Sequence, residues 1–160
     1  MSGSFSALRI ECFPIERMAE LRELQRQCDA EIGWDPPQSY LDEWEKTVLG
    51  LLQQDPNLVK AAFIDNKLVG YCILVKKLHN HEGVVMDIEW SSSYIWDLFV
   101  AKEHRNKGMG TKLLNEAITY SKSIGCDKTG LLVNYKNERA KNLFEKAGFK
   151  LYSHYLLKRL

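Results

Sequence analysis

The chain has almost no net charge: among its 160 residues, 22 lysines and arginines stand against 21 aspartates and glutamates, which leaves +1 at neutral pH. So even a balance gives no general pull toward nucleic acid or an anionic membrane, and neither is expected as a partner. Long apolar runs are missing too, since none approaches the ~20 residues of a membrane span. The opening MSGSFSALRIECF has no basic stretch followed by a long apolar core, and Ser2 stands where a myristoylation signal needs glycine. These absences predict a soluble, cytoplasmic protein. Cysteine is scarce and scattered: Cys12, Cys28, Cys72 and Cys126 form no Cys-x-x-Cys pair and have no histidine pair at zinc-finger spacing. They read as small buried hydrophobes in a reducing compartment, and no metal is expected. A loop His79-x-His81 beside Glu82 is by itself an incidental pairing. Internal repeats and low-complexity segments are absent, as are the phosphate-loop string Gly-x-x-x-x-Gly-Lys-Ser/Thr and the dinucleotide string Gly-x-Gly-x-x-Gly.

What is present is ordinary globular composition, 45% hydrophobic and 27% charged. A chain of this length suits one domain over residues 1–160 and buries roughly 70% of its unfolded surface. Its organising stretch is Tyr94–Gly125. Tyr94 to Val100 is apolar, aromatic and β-branched except for Asp97, the composition of a strand buried on both faces. From Met109 the apolar stripe Met109, Leu113, Leu114, Ala117, Ile118 and Ser121 describes an amphipathic helix. Between them lies Arg105-Asn106-Lys107-Gly108-Met109-Gly110. Two glycines let a ligand approach the backbone, and the helix's first N–H groups, lacking intrahelical partners, point at the same place. With Arg105 and Lys107 beside it, this is a cradle for a phosphate or pyrophosphate.

The rest of the chain alternates strands and helices. Ala7–Phe13 reads as a strand, Pro14 to about Asp29 as a helix with Ile15, Met18, Leu21, Leu24 and Cys28 inward. Trp34-Asp35-Pro36-Pro37 breaks that helix. Ser39 followed by Asp42 resembles a capping box for a second helix, with Leu41, Trp44, Val48 and Leu51 or Leu52 inward and Asp55-Pro56 as its end. Leu58–Asp65 and Lys67–Lys77 flank a turn and predict an antiparallel hairpin. Val84–Trp90 is a further strand, Thr129–Asn134 a short one, Glu138–Ala147 a helix stopped at Gly148, and Phe149–Leu157 a closing strand.

Strand, Arg-x-x-Gly-x-Gly, helix, strand, then Asn137 opening a helix with Ala140 that stops at Gly148-Phe149 is a longer pattern than any motif in it. It resembles the GNAT superfamily of acyl-CoA-dependent N-acetyltransferases, most strongly over Tyr94–Phe149. The resemblance implies an α/β (α+β) fold: a central, mixed but mostly antiparallel sheet of about seven strands, four helices and a splayed central strand pair. It implies acetyl-CoA as cosubstrate, its pyrophosphate held by Arg105, Asn106, Lys107, Gly108, Met109, Gly110 and Thr111. Its pantetheine arm would pair with the backbone of Leu98, Phe99 and Val100 where that strand parts from Leu131–Val133. A backbone N–H near Phe99 is implied as the donor to the thioester oxygen, and Asn137 as a contact of the cofactor arm; the residues by themselves equally read Asn137 as a helix cap. Many members carry, seven residues after this Asn, a tyrosine that protonates the departing thiolate. Here that cofactor-side position is Phe144, which has no proton to give, with Tyr135 and Tyr155 as the nearby hydroxyls.

Attack on a thioester requires a neutral amine, so an ammonium acceptor must lose a proton. Asp97 is the first choice of base, because a carboxylate in an apolar run needs a partner or a purpose; Glu89 and Asp87 come second. Asp29, Glu31, Asp35, Asp42, Glu43 and Glu45, with Trp34, Tyr40, Trp44, Trp90 and Trp96, predict an acidic, aromatic acceptor pocket. Trp34, Tyr40 and Trp96 are its named substrate contacts. The expectation is direct acetyl transfer to a small cationic amine. The alternatives are a protein lysine or N-terminal acceptor and a non-catalytic acyl-CoA-binding module; a homodimer stays open.

Overall fold

The computed structural model describes residues 8–76, 92–152, 156 and 158. Among them five strands form one sheet in sequential order: β1 (Leu8–Cys12), β2 (Val59–Ile64), β3 (Lys67–Val75), β4 (Ser92–Val100) and β5 (Lys128–Leu131). The first four pair antiparallel, and β4 with β5 parallel. Four helices accompany them: α1 (Met18–Glu31), α2 (Gln38–Gln54), α3 (Met109–Ser123) and α4 (Glu138–Lys146). The class is the α/β (α+β) one expected, but the described residues form five strands where about seven were expected. Val84–Trp90 lies outside the described residues, and residues 149–152 take no strand conformation.

The β2–β3 hairpin turns at Asp65-Asn66, both at positive φ (49° and 62°). That backbone matches the twist of the flanking strands. The capping box is not formed: α2 starts at Gln38 behind Pro37, with no side-chain cap, and Ser39 lies inside its first turn. Pro-Pro has already set the entry by fixing φ. Likewise Pro14 leads into a 3-10 turn, so α1 begins only at Met18 and Ile15 is exposed.

The sheet carries a core on each face. Leu21, Leu24, Trp44, Val48, Phe63, Tyr71, Ile73 and Phe99 pack under α1 and α2. Cys72, Leu74, Ile95, Met109, Leu113, Leu114 and Ala117 form the opposite core under α3, with Leu143, Phe144, Ala147 and Phe149 of the α4 region against it. Leu113 and Leu114 are completely buried, which is worth about 1.5–3 kcal/mol each. This anchors the start of α3 beside the end of β4.

In β4 the pleat is broken once. Ile73 pairs with Asp97 but the next residue of β3, Leu74, pairs with Ile95, so Trp96 is an inserted residue. A regular strand would send Trp96 and Asp97 to opposite faces. The bulge instead puts both toward α1 and α2: Trp96 stacks near Trp44 (6.5 Å), and Asp97 meets Tyr71. Ile95 and Leu98 keep to the α3 side. Bulges are one way a sheet re-aims a side chain next to a site.

Candidate active site

The ladder between β4 and β5 ends at Ile95–Leu131, while β4 runs on beside β3 to the Gly70–Val100 pair. Among the described residues no strand covers the edge of its last residues, which is therefore bare there. Bonded and non-bonded pairs alternate along an antiparallel ladder. Ala101 N–H donates to the Val69 carbonyl at 2.9 Å, which makes Phe99 opposite Tyr71 a bonded pair whose polar groups turn toward β3. Leu98 and Val100 turn theirs to the bare edge. The Phe99 amide expected as the oxygen donor thus faces the wrong way; the edge amides are those of its two neighbours, and the Leu98 N–H also reaches the Asp97 carboxyl.

Beyond β4 a 3-10 turn (Lys102–His104) leads into the glycine loop. Asn106 and Gly108 adopt left-handed backbone, φ 60° and 75°, and Gly108 is the N-cap of α3. The first bond of the helix runs from Lys112 N–H to the Gly108 carbonyl at 3.1 Å. Ahead of it, the N–H groups of Met109, Gly110 and Thr111 are the orphan donors of a helix N-terminus. A Cβ on Gly108 would meet nothing within 4 Å, so this cradle opens to solvent. Free donors, a positive helix end and a bare strand edge leading to them fit an extended anionic cosubstrate such as acetyl-CoA.

The two basic side chains of the loop are already engaged. Arg105 Nε donates to the Val100 carbonyl at 2.7 Å, Nη2 reaches both Glu31 oxygens at 2.6 and 2.7 Å, and the guanidinium lies 5.2 Å from the Phe99 ring centre. Lys107 Nζ donates to the Glu103 carbonyl at 3.3 Å. Asn137 serves as the cap of α4, its Oδ1 accepting from Ala140 N–H at 3.1 Å. Phe144 packs edge-on to Phe149 (5.9 Å), and Tyr135 is 74% exposed. Tyr155 lies outside the described residues.

On the other face, Asp97 is half-buried and Tyr71 fully so. The Tyr71 oxygen is 3.1 Å from Asp97 Oδ2 and 2.5 Å from Gln25 Oε1, and Gln25 Nε2 donates to Asp29 Oδ1 at 3.1 Å. Burial is the largest cause that pushes the Asp97 carboxyl up to about 6; nearby Asp29 adds to it and the Leu98 amide opposes it. Burial also raises Asp29 and drives the Cys28 thiol up to about 12. Cys28 is therefore no nucleophile at neutral pH.

Three of the six acidic residues of the expected acceptor wall are paired with arginine. Arg22 pairs with Asp42 and Glu45 at 2.5 Å each, Arg105 holds Glu31, and Asp29 is buried at 4% exposure. Trp34 and Tyr40 touch each other edge-to-face at 4.5 Å, half-open to solvent like Trp96, whereas Trp44 is core. Glu89, Asp87, Trp90, His79, His81 and Glu82 lie outside the described residues. A groove of about 710 Å³ lies on the outer side of α1, lined by Glu23, Arg26, Trp34, Asp35 and Gln38 among others. Asp97 does not line it. Among the described residues no cluster of histidine, cysteine and carboxylate could hold a metal, and no helix is long and apolar enough to cross a membrane. The β4 bulge and the Gln25–Tyr71 link were missed by sequence reasoning; only the isolated Asp97 hinted at them.

Comparison with known proteins bears on the same region. An uncharacterized N-acetyltransferase of Methanocaldococcus jannaschii is 29% identical over 104 residues, 64% of this chain and 59% of that protein. The chain thus matches less than two thirds of that relative's length. N-alpha-acetyltransferase 30 of Schizosaccharomyces pombe is 28% identical over 109 residues, 66% of this chain and 68% of that one. The aminoglycoside N-acetyltransferase AAC(6')-Iy, solved with CoA, superposes with a TM-score of 0.74 at 16% identity, covering 100% of this chain and 99% of the other. At that identity the likeness shows the fold. The description "Acetyltransferase (GNAT) family" matches residues 8–149, from β1 through the Gly148-Phe149 stop after α4, and the chain belongs to that family.

Proposed function

We propose that the protein transfers an acetyl group directly from acetyl-CoA to a primary amine. The observation that carries this reading is the continuity of the bare β4 edge with the unpartnered N–H groups of α3. One holds an extended amide-bearing arm; the other holds a pyrophosphate. Met109, Gly110 and Thr111 bind the phosphates through their backbone, Leu98 and Val100 align the arm, and one of those two amides faces the thioester oxygen. The amine nitrogen forms a bond to the thioester carbon as the C–S bond breaks. Asp97 takes the first proton from the ammonium; the second, lost from nitrogen as the amide forms, passes through water to the departing CoA thiolate, since Phe144 cannot supply one. A carboxylate raised to about 6 is ionised at neutral pH yet more basic than an ordinary one, which suits the task.

The acceptor is a small cationic amine, held by Asp97 beside the open faces of Trp96, Trp34 and Tyr40. A peptide N-terminus or lysine is the second reading. It is favoured by the arginine pairing of Glu31, Asp42 and Glu45, which removes negative charge a polycation would need, and by the S. pombe relative. Free-thiol release from acetyl-CoA, measured with polyamines, aminoglycosides, amino acids and peptides, decides among them. Tight acetyl-CoA binding without thiol release across that panel would refute turnover and leave a cofactor-binding module.

A further inference from the structure

Two features near Asp97 have no part in the transfer just described. Asp29, on the inner face of α1, is 4% exposed, and its Oδ2 atom has no hydrogen-bond partner among the described residues. Gln25, one turn earlier and 3% exposed, joins it to Tyr71. Burying a carboxylate with half its acceptors unfilled costs stability, so its position calls for a reason.

The reason lies in counting hydrogens. A tyrosine hydroxyl has one, yet the Tyr71 oxygen lies between two acceptors, Gln25 Oε1 at 2.5 Å and Asp97 Oδ2 at 3.1 Å. Which one receives it depends on how the Gln25 amide is turned, and that is set at its other end. A carboxylate at Asp29 can only accept, so Gln25 must present its nitrogen there and its oxygen to Tyr71. The shorter contact then takes the hydrogen. Asp97 faces the lone pair of the Tyr71 oxygen and completes that bond only when it carries a proton itself.

We propose that Asp29 is a positioning residue for Asp97: acting through Gln25, it commits the Tyr71 hydrogen away from Asp97 and so keeps Asp97 avid for a proton. The proposal rests on the reading of Asp97 as the base, and its direct test does not require turnover. The other titratable groups close to Asp97 are Cys28 and Asp29 on α1, Tyr40 on α2, and Tyr71 and Cys72 on β3. Both cysteines are raised by burial and stay neutral near pH 6. Asp29 is the one other carboxyl among these, and burial raises it as well.

The experiment is a carbon-13 carboxyl NMR titration of the free, full-length protein, with the Asp97 resonance assigned by its loss in Asp97→Asn. The wild-type midpoint is expected at about 6 or above. In Asp29→Asn the new amide can donate to Gln25, reverse its orientation and hand the Tyr71 hydrogen to Asp97. Gln25→Met frees the same hydrogen while leaving the Asp29 charge in place. Both variants are expected to lower the Asp97 midpoint by one pH unit or more, a tenfold change in proton affinity. A fall in Asp29→Asn alone would mean through-space charge and would overturn the positioning role, as would no fall in either. Tyr71→Phe supplies an independent check, with a midpoint within half a unit of wild type expected. A rise of a unit or more would show that Asp97 had held the hydrogen and would overturn the proposal. The acid limb of the thiol-release profile should follow the NMR midpoint. A limb that stays put while the midpoint moves removes Asp97 as the base and leaves the hydrogen assignment standing.

Discussion

Replacing Asp97 by asparagine should make the protein more stable at alkaline pH while impairing acetyl transfer. The carboxyl stands at about 6 in the fold against an ordinary value of 3.8. Below pH 3.8 it is protonated in both folded and unfolded chains and the gap has no effect. As pH rises toward 6 the unfolded chain ionises first and stability is lost; above 6 the loss is complete. A gap of about two pH units corresponds to ~3 kcal/mol. Asparagine is neutral throughout, and its amide can donate to the Tyr71 oxygen whose hydrogen faces Gln25. The asparagine variant should therefore gain on wild type by about 6–12 °C in Tm between pH 4 and pH 8, taking 2–4 °C per kcal/mol for a chain of this size. Calorimetry at the two pH values measures that difference of differences, and thiol release at pH 8 should fall by about 10²–10⁴-fold. A Tm gap that is flat with pH, or that turns against asparagine at pH 8, would refute the reasoning that Asp97 is a destabilised, purposeful charge.

Glycine substitutions separate cradle from scaffold. Gly110→Glu should stay folded, because a carboxylate at a helix N-terminus is favourable by about 0.3–1 kcal/mol. It should nevertheless lose acetyl-CoA affinity at least tenfold by calorimetric titration, while Gly110→Ala, whose Cβ would sit 3.4 Å from Leu143 Cδ2, keeps it. At Gly70 a Cβ would lie 2.9 Å from the Phe99 carbonyl oxygen, a backbone atom that cannot turn aside. Gly70→Ala should cost about 1–3 kcal/mol by thermal unfolding. Gly50→Ala, mid-helix with nothing within 4 Å, should instead gain up to ~1 kcal/mol. Phe144→Tyr should raise kcat in the thiol-release assay if protonation of the departing thiolate limits turnover; an unchanged kcat places the slow step elsewhere.

Much of this was legible in the sequence, for physical reasons that differ by residue. The stripe Met109, Leu113, Leu114, Ala117 and Ser121 names the buried face of α3 because a 3.6-residue period leaves no other way to turn it. Gly148 marks the left-handed stop of α4, and it adopts that backbone. The antiparallel pairing of β2 with β3 followed from the turn at Asp65-Asn66. What could not be read was register and hydrogen direction. Nothing in Tyr94–Val100 announces that Trp96 is inserted, because a bulge depends on the partner strand and leaves composition unchanged. The resemblance named the exposed backbone of Leu98 and Val100, but the direction of the Phe99 amide depends on the parity of the ladder, which composition does not show. The acidic cluster around α2 misled because charge is visible in sequence but pairing is not: Arg22 and Arg105 lie 20 and 74 residues from their partners Asp42 and Glu31.

Arg105 shows how the two halves of the site are joined. Its guanidinium lies against Phe99, takes the Val100 carbonyl on the bare edge and grips Glu31 at the end of α1. The side chain is 12% exposed, so these are sheltered, charge-assisted bonds, of the kind worth about 1.5–3 kcal/mol each. A cosubstrate arm paired along this edge would find its last carbonyl already occupied, and its backbone pairing is then confined to the open groups of Leu98 and the Val100 amide. The same contact ties α1, which carries Gln25 and Asp29, to the loop that precedes α3. The height of α1 over Asp97 and the position of the phosphate cradle are thus fixed by one residue. It acts through three partners that a point charge on a lysine stem could not satisfy together.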